Sequence, residues 1–218
     1  MKKQTLSLEH NYRPAKSPST TPPCIIMLHG FGSDENDLFS FASELPDKYA
    51  IISLKAPIRL VPYGNAWYNI YFNNPGGKFS DDAQAINSRD LIANCIDEIV
   101  EKYQIDANNI TLLGFSQGTI LAFAVALSYP EKVKNVIGLS GYINQKILKE
   151  GYAEKNFGNL EVYSSHGSVD EVIPVQWARK TKPFLDGLNI ACSYSEFPVG
   201  HGVAPQNLEE FKNWLAQR

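Results

Sequence analysis

The sequence predicts an α/β fold in which a mainly parallel central sheet is covered by helices on both faces. Short apolar, β-branched runs alternate along the chain with stretches of helical periodicity, the order that builds successive β-α-β units. Most of those runs are apolar throughout rather than alternating, as expected of strands buried on both faces. The chain has 218 residues, 44% hydrophobic and 20% charged, enough to bury one sizeable core without metal or disulfide cross-links.

Taken in order, the expected strands are 24–28, 50–54, 110–113, 136–139, 160–164 and 192–197. The last alternates, with Tyr194 between Ser193 and Ser195, which suits a sheet edge. Residues 5–9 are expected to add an antiparallel edge strand. Helices are expected at 82–103, where Ile86, Ile92, Ile96, Ile99, Val100 and Tyr103 form one stripe, and at 117–129, apolar almost throughout and stopped by Pro130. Two more are expected at 176–188 and 207–216, the latter with Leu208, Phe211, Trp214 and Leu215 on one face. Residues 11–23, rich in Pro, Ser and Thr, read as a connection. Residues 56–81 combine Pro, Gly and Asn with Trp67, Tyr68, Tyr71 and Phe72, a long aromatic-rich loop of the kind that lines an active site. No repeat or linker divides the chain, so 1–218 is expected to be a single domain.

Charge and cysteine usage narrow the function classes. A net charge of -3 offers no basic patch for nucleic acid or an anionic membrane. Cys24, Cys95 and Cys192 form no pair by spacing and sit among apolar neighbours, the pattern of buried free thiols in a reducing compartment. The first ten residues lack the apolar region of a secretory signal, and no apolar run approaches the roughly 20 residues needed to span a bilayer. The expectation is a cytoplasmic protein with no stable membrane insertion.

The chemistry concentrates at Gly114-Phe115-Ser116-Gln117-Gly118, which follows the strand at 110–113 and opens the apolar helix at 117–129. G-x-S-x-G between a strand and a helix holds its serine on a sharp turn above the sheet, and glycines on either side allow the strand and helix to approach. Ser116 is therefore the expected nucleophile. It needs a general base, and His10, His29, His166 and His201 are available. His10 precedes the core. His201, in Gly200-His201-Gly202 after the last strand, is the last histidine in the chain and fits the nucleophile-acid-histidine chain order of α/β-hydrolases; His166 also follows Ser116 but fits that order less well. The acid is sought after the strand at 160–164, where Asp170 and Glu171 compete. Gln117, the residue after the nucleophile, supplies one backbone N–H for an oxyanion hole. The second is expected from His29-Gly30-Phe31-Gly32, with Phe31 the first choice and Gly32 the alternative, leaving His29 a structural role. Trp67 and Tyr71 are candidate substrate-binding residues, the competing reading being that they pack the long loop onto the core.

With those residues in place, the sequence resembles the phospholipase/carboxylesterase (acyl-protein thioesterase-like) family of α/β-hydrolases. The resemblance rests on Leu28-His29-Gly30-Phe31-Gly32-Ser33, Ala66-Trp67-Tyr68, the Ser116 motif, His166-Gly167 with Asp170 and Pro174, and Gly200-His201-Gly202, all in the family's order. It implies a Ser116–Asp170–His201 triad, with the spacing from the His-Gly pair selecting Asp170. It also implies oxyanion donors at Phe31 and Gln117, and hydrolysis of short- to medium-chain carboxylic esters without cofactor or metal. Thioester or lysophospholipid substrates use the same residues, and a homodimer partly covering the groove is a further implied arrangement. The segment 70–77 looks closer to bacterial esterases than to the eukaryotic thioesterases.

Overall fold

The computed structural model describes residues 6–74 and 77–218. Along the chain run β1 (His10–Arg13), β2 (Cys24–Leu28), β3 (Ala50–Leu54), β4 (Ile58–Arg59), β5 (Asn65–Ala66), β6 (Ile70–Asn74) and β7 (Gly77–Ser80). Then come α1 (Asp82–Tyr103), β8 (Ile110–Phe115), α2 (Gln117–Ser128), β9 (Asn135–Leu139), β10 (Glu161–Gly167), α3 (Val175–Ala178), α4 (Thr181–Asp186), β11 (Ala191–Phe197) and α5 (Pro205–Ala216). Among the described residues a seven-stranded sheet has the order β1-β3-β2-β8-β9-β10-β11, parallel except where β1 pairs with β3.

The apolar strands divide their side chains between two cores with the two-residue period of a pleated sheet. Cys24, Ile26 and Leu28 of β2 pack with residues of α1 and α2 on one face. Ile25 and Met27 pack with Phe211, Trp214 and Leu215 of α5 and with Leu38 and Ala42 on the other. Every residue of α2 is buried, which explains why its sequence shows no polar face. The helix is pressed against β2 at one point: a Cβ at Gly118 would lie 1.9 Å from the Leu28 carbonyl oxygen.

This strand order places a topological switch between β2 and β8. The chain leaves β2 for β3 on one side and returns to β8 on the other, so a crevice opens at the carboxyl ends of β2 and β8. The His29–Gly32 turn and the Ser116 turn both lie there.

Three expectations shift. The antiparallel edge strand is His10–Arg13 rather than 5–9; Thr5 lies outside the described residues, and 6–9 are not strand. Its anchor is local: Tyr12 stacks on Tyr103 with centroids 4.1 Å apart, and the His10 ring lies 2.7 Å from the Tyr103 hydroxyl. The helix expected over 176–188 is two short helices, α3 and α4. Pro183 has no N–H to offer the Arg179 carbonyl, so a continuous helix fails there. The loop expected over 56–81 folds as two ribbons, β4 with β5 and β6 with β7; Pro75 and Gly76 lie outside the described residues. The edge position expected for 192–197 is that of β11.

Gly118→Ala tests the closest approach in this packing. The added methyl cannot be accommodated without moving α2 from β2, and a loss of roughly 1–3 kcal/mol or more is expected. Urea denaturation measures it; an unchanged midpoint would contradict the packing described.

Candidate active site

The backbone of β8 turns into α2 at Ser116, which adopts φ 53° and ψ -115°. A non-glycine residue in that region is strained by about 1–3 kcal/mol, a cost tolerated where the surrounding structure holds it. The Ser116 N–H donates to the Leu139 carbonyl at 2.9 Å, and the Thr119 hydroxyl lies 2.7 Å from both the Gly114 and Leu139 carbonyls. A Cβ at Gly114 would meet the Thr119 nitrogen at 2.5 Å. The two glycines of the motif are thus required by close backbone approach.

His201 lies 2.9 Å from the Ser116 hydroxyl through Nε2 and 2.7 Å from Asp170 Oδ2 through Nδ1. The carboxylate can only accept, so the proton sits on Nδ1 and Nε2 presents its lone pair to Ser116. The His201 loop is held against the end of β10: the Ser168 N–H donates to the Phe197 carbonyl at 2.7 Å, and the His201 ring packs on Phe115 with centroids 5.1 Å apart.

Asp170 has a fully buried side chain surrounded by donors. Oδ1 accepts from the Val172 and Ile173 N–H groups at 2.8 and 2.9 Å. Oδ2 faces His201 and, at 3.1 Å, Nε2 of His166. Burial pushes its carboxyl up, but the His201 contact and the two backbone N–H groups outweigh burial and hold it below the ordinary carboxylate value. Glu171, the competing carboxylate, is exposed.

His166, a rival base on sequence grounds, instead sits behind the acid. Its Nε2 donates to the Ile173 carbonyl at 2.9 Å and lies beside Asp170, so it braces the turn that carries the carboxylate. The signal for this was the four-residue spacing of His166 and Asp170. His29 is likewise structural: Nδ1 donates to the Gly30 carbonyl at 2.8 Å, Nε2 accepts from the Ala56 N–H at 3.0 Å, and burial lowers its pKa.

Gln117 opens α2, where its N–H has no acceptor within the helix. Its side chain straps the aromatic segment to the nucleophile turn, Oε1 accepting from the Trp67 N–H and Nε2 donating to the Tyr68 carbonyl, both at 2.8 Å. The Gly32 N–H is committed to the Asn65 carbonyl at 2.9 Å, which favours Phe31 over Gly32 as the second donor.

Trp67 and Tyr71 part company. Trp67 is fully buried, its indole N–H donating to the His29 carbonyl at 2.9 Å, and it supports the turn from behind. Tyr71 is 45% exposed on β6. The cavity touching Ser116 is walled by their sequence neighbours Tyr68 and Ile70, with Ile120, Tyr142, Ile173 and Trp177. Tyr142 and Trp177 come from a loop and a short helix whose sequences carry no motif, and Ile173 from the turn that carries Asp170.

A profile of the Phospholipase/Carboxylesterase family matches residues 14–218. The chain belongs to that family. Acyl-protein thioesterase 1 of Kluyveromyces lactis is 29% identical over 87% of this chain and 87% of its own length. Lysophospholipase-like protein 1 of Mus musculus is 27% identical over 89% of this chain and 86% of its own. The Bacillus cereus carboxylesterase structure superposes with a TM-score of 0.84 at 19% identity, covering 97% of this chain and 94% of that one. The fold is that of the α/β-hydrolases, and the family contains esterases and thioesterases.

Among the described residues no cluster of His, Cys, Asp or Glu could hold a metal ion, and no helix is long and apolar enough to cross a membrane. Burial pushes the thiols of Cys95 and Cys192 up to about 12 and that of Cys24 higher still, so none is poised as a thiolate; Cys192 is only partly buried.

The depressed Asp170 value has a defined pH consequence. A carboxylate held below its ordinary value, about 3.9, stabilises the fold fully above that value, and the contribution is lost as pH falls through the folded value. Comparing wild type with Asp170→Asn by urea denaturation, the stability gap is expected to be wide near neutrality and to narrow below about pH 4. A gap independent of pH would contradict the assignment.

Proposed function

We propose that this protein is a serine carboxylesterase that hydrolyses short- to medium-chain carboxylic esters through an acyl-enzyme. One observation carries the reading: Ser116, on a strained turn, is hydrogen-bonded to His201, whose opposite nitrogen is held by the buried Asp170. His201 Nε2 accepts the Ser116 proton as Oγ attacks the ester carbonyl, and the Phe31 and Gln117 N–H groups stabilise the oxyanion. The imidazolium, stabilised by Asp170, returns the proton to the leaving alcohol. Water, deprotonated by His201, then cleaves the acyl-enzyme and frees the carboxylic acid.

The cavity beside Ser116 supports the chain-length part of this reading. It encloses about 60 Å³ among Tyr68, Ile70, Ile120, Tyr142, Ile173 and Trp177, an apolar slot suited to a modest acyl chain. Thioesters would be attacked by the same groups, and the thioesterase name of the Kluyveromyces lactis relative favours testing them alongside esters. In this reading Trp67 holds the oxyanion turn, and Tyr71 contacts substrate from β6. The protein is proposed to act in the cytoplasm, with homodimerisation as a further proposal from the family resemblance.

The test is steady-state kinetics on p-nitrophenyl esters and matched thioesters from acetyl to palmitoyl. Wild type is expected to prefer butyryl to octanoyl over palmitoyl esters by about tenfold or more, and to favour ester over thioester. Ser116→Ala is expected to lose about 10⁴-fold or more in kcat. Wild-type rates in that variant would overturn the nucleophile, and a palmitoyl thioester preference would replace the substrate class.

A further inference from the structure

Beside the apolar slot lies a second cavity of about 420 Å³. The two share Ser80, Tyr142 and Trp177 as walls and so adjoin one another. Tyr142 and Trp177 meet edge to face with centroids 5.1 Å apart and mark the boundary.

The outer cavity has a different chemistry. Its wall carries two exposed lysines, Lys146 and Lys180, and one carboxylate, Asp82. Among the described residues neither lysine has an ion-pair partner, whereas the cations flanking Lys180 are neutralised: Arg179 pairs with Glu196 at 2.7 Å and Lys182 with Asp186 at 2.8 Å. Asp82 accepts a hydrogen bond from the Asn144 amide at 3.3 Å and stands in the first turn of α1, where the helix dipole offsets its charge. A protein of net charge -3 thus keeps, among the described residues, two positive groups without an ion-pair partner on one wall of a cavity that adjoins the one touching Ser116.

We infer that this outer cavity is an anion-accepting subsite for the far end of the acyl chain, and that the preferred substrates are half-esters of dicarboxylic acids, which transfer an ω-carboxyacyl group to Ser116. The assignment rests on the proposed esterase reading. It is the acyl arm that enters because the leaving oxygen must stay beside His201 Nε2 to be protonated. The cavity opens instead on the Gln117 and Ile120 side of Ser116, and His201 is absent from its walls. The methylenes lie in the apolar slot and the terminal carboxylate reaches Lys146 and Lys180, exposed charges whose attraction is screened within about 8 Å at physiological salt.

The experiment compares mono-p-nitrophenyl glutarate, adipate and suberate with p-nitrophenyl pentanoate, hexanoate and octanoate, each pair matched in chain length. The ratio of kcat/KM, half-ester over monoacid ester, is expected to exceed one for at least one pair in wild type. It is expected to fall about tenfold in Lys146→Met/Lys180→Met and to fall on adding salt. A ratio below one for every pair, or a ratio unchanged in the double variant, overturns the subsite while leaving the esterase reading intact. A matched 4-carboxyphenyl and phenyl butyrate pair covers the other side of the ester; if the lysine-dependent preference appears there, the acyl assignment is overturned. Failure to hydrolyse any of these esters would bring down the esterase reading itself.

Discussion

At the junction of β8 and α2, backbone sterics leave little freedom. The helix must lie close enough to β2 for Gly118 to touch the Leu28 carbonyl, and close enough to its own strand for Gly114 to touch Thr119. Closing the strand-to-helix turn in that space requires one residue at φ 53°, and that residue is Ser116. Its hydroxyl is thereby placed at the crevice between β2 and β8, and the first N–H of α2 beside it. The strain is borne by an entirely buried helix and by hydrogen bonds to Leu139, so rigidity of the core becomes precision at the site.

The remaining groups are arranged around that fixed point by strands further along the sheet. β10 ends in Gly167, where a Cβ would stand 2.1 Å from the Gly200 carbonyl oxygen, and this contact locks the Asp170 turn against the His201 loop. Three donors then converge on one buried carboxylate, two from the backbone and one from the His201 imidazole, with His166 packed behind it. On the other side, Gln117 and Trp67 tie the aromatic segment to the His29–Gly32 turn, so a chain of hydrogen bonds links that turn to the nucleophile turn.

Much of this was legible in the sequence because it follows from local chemistry. The strands at 24–28 and 50–54 and the helix at 82–103 match their structural bounds, since continuous burial or a single apolar stripe leaves a plain periodic signal. Ser116 and His201 were expected from motif and chain order, which left Asp170 and Glu171 open; the choice of Asp170 came from the family resemblance. What escaped depends on tertiary partners. The edge strand His-Asn-Tyr-Arg has no apolar run, and Tyr12 gains its place from Tyr103, about ninety residues away in sequence. The slot residues Tyr142 and Trp177 are gathered from separate segments, and nothing local distinguishes them. Trp67 was legible as important but not in its direction: aromatic content alone does not tell a pocket wall from a strut.

The account turns on Ser116 being the reactive group, activated by His201. Treating the native protein with a fluorophosphonate and locating the adduct by peptide mass spectrometry tests this most directly. Stoichiometric modification of Ser116, lost in His201→Ala while the fold is retained, is the predicted result. An unmodified Ser116, or an adduct on another residue, would contradict it.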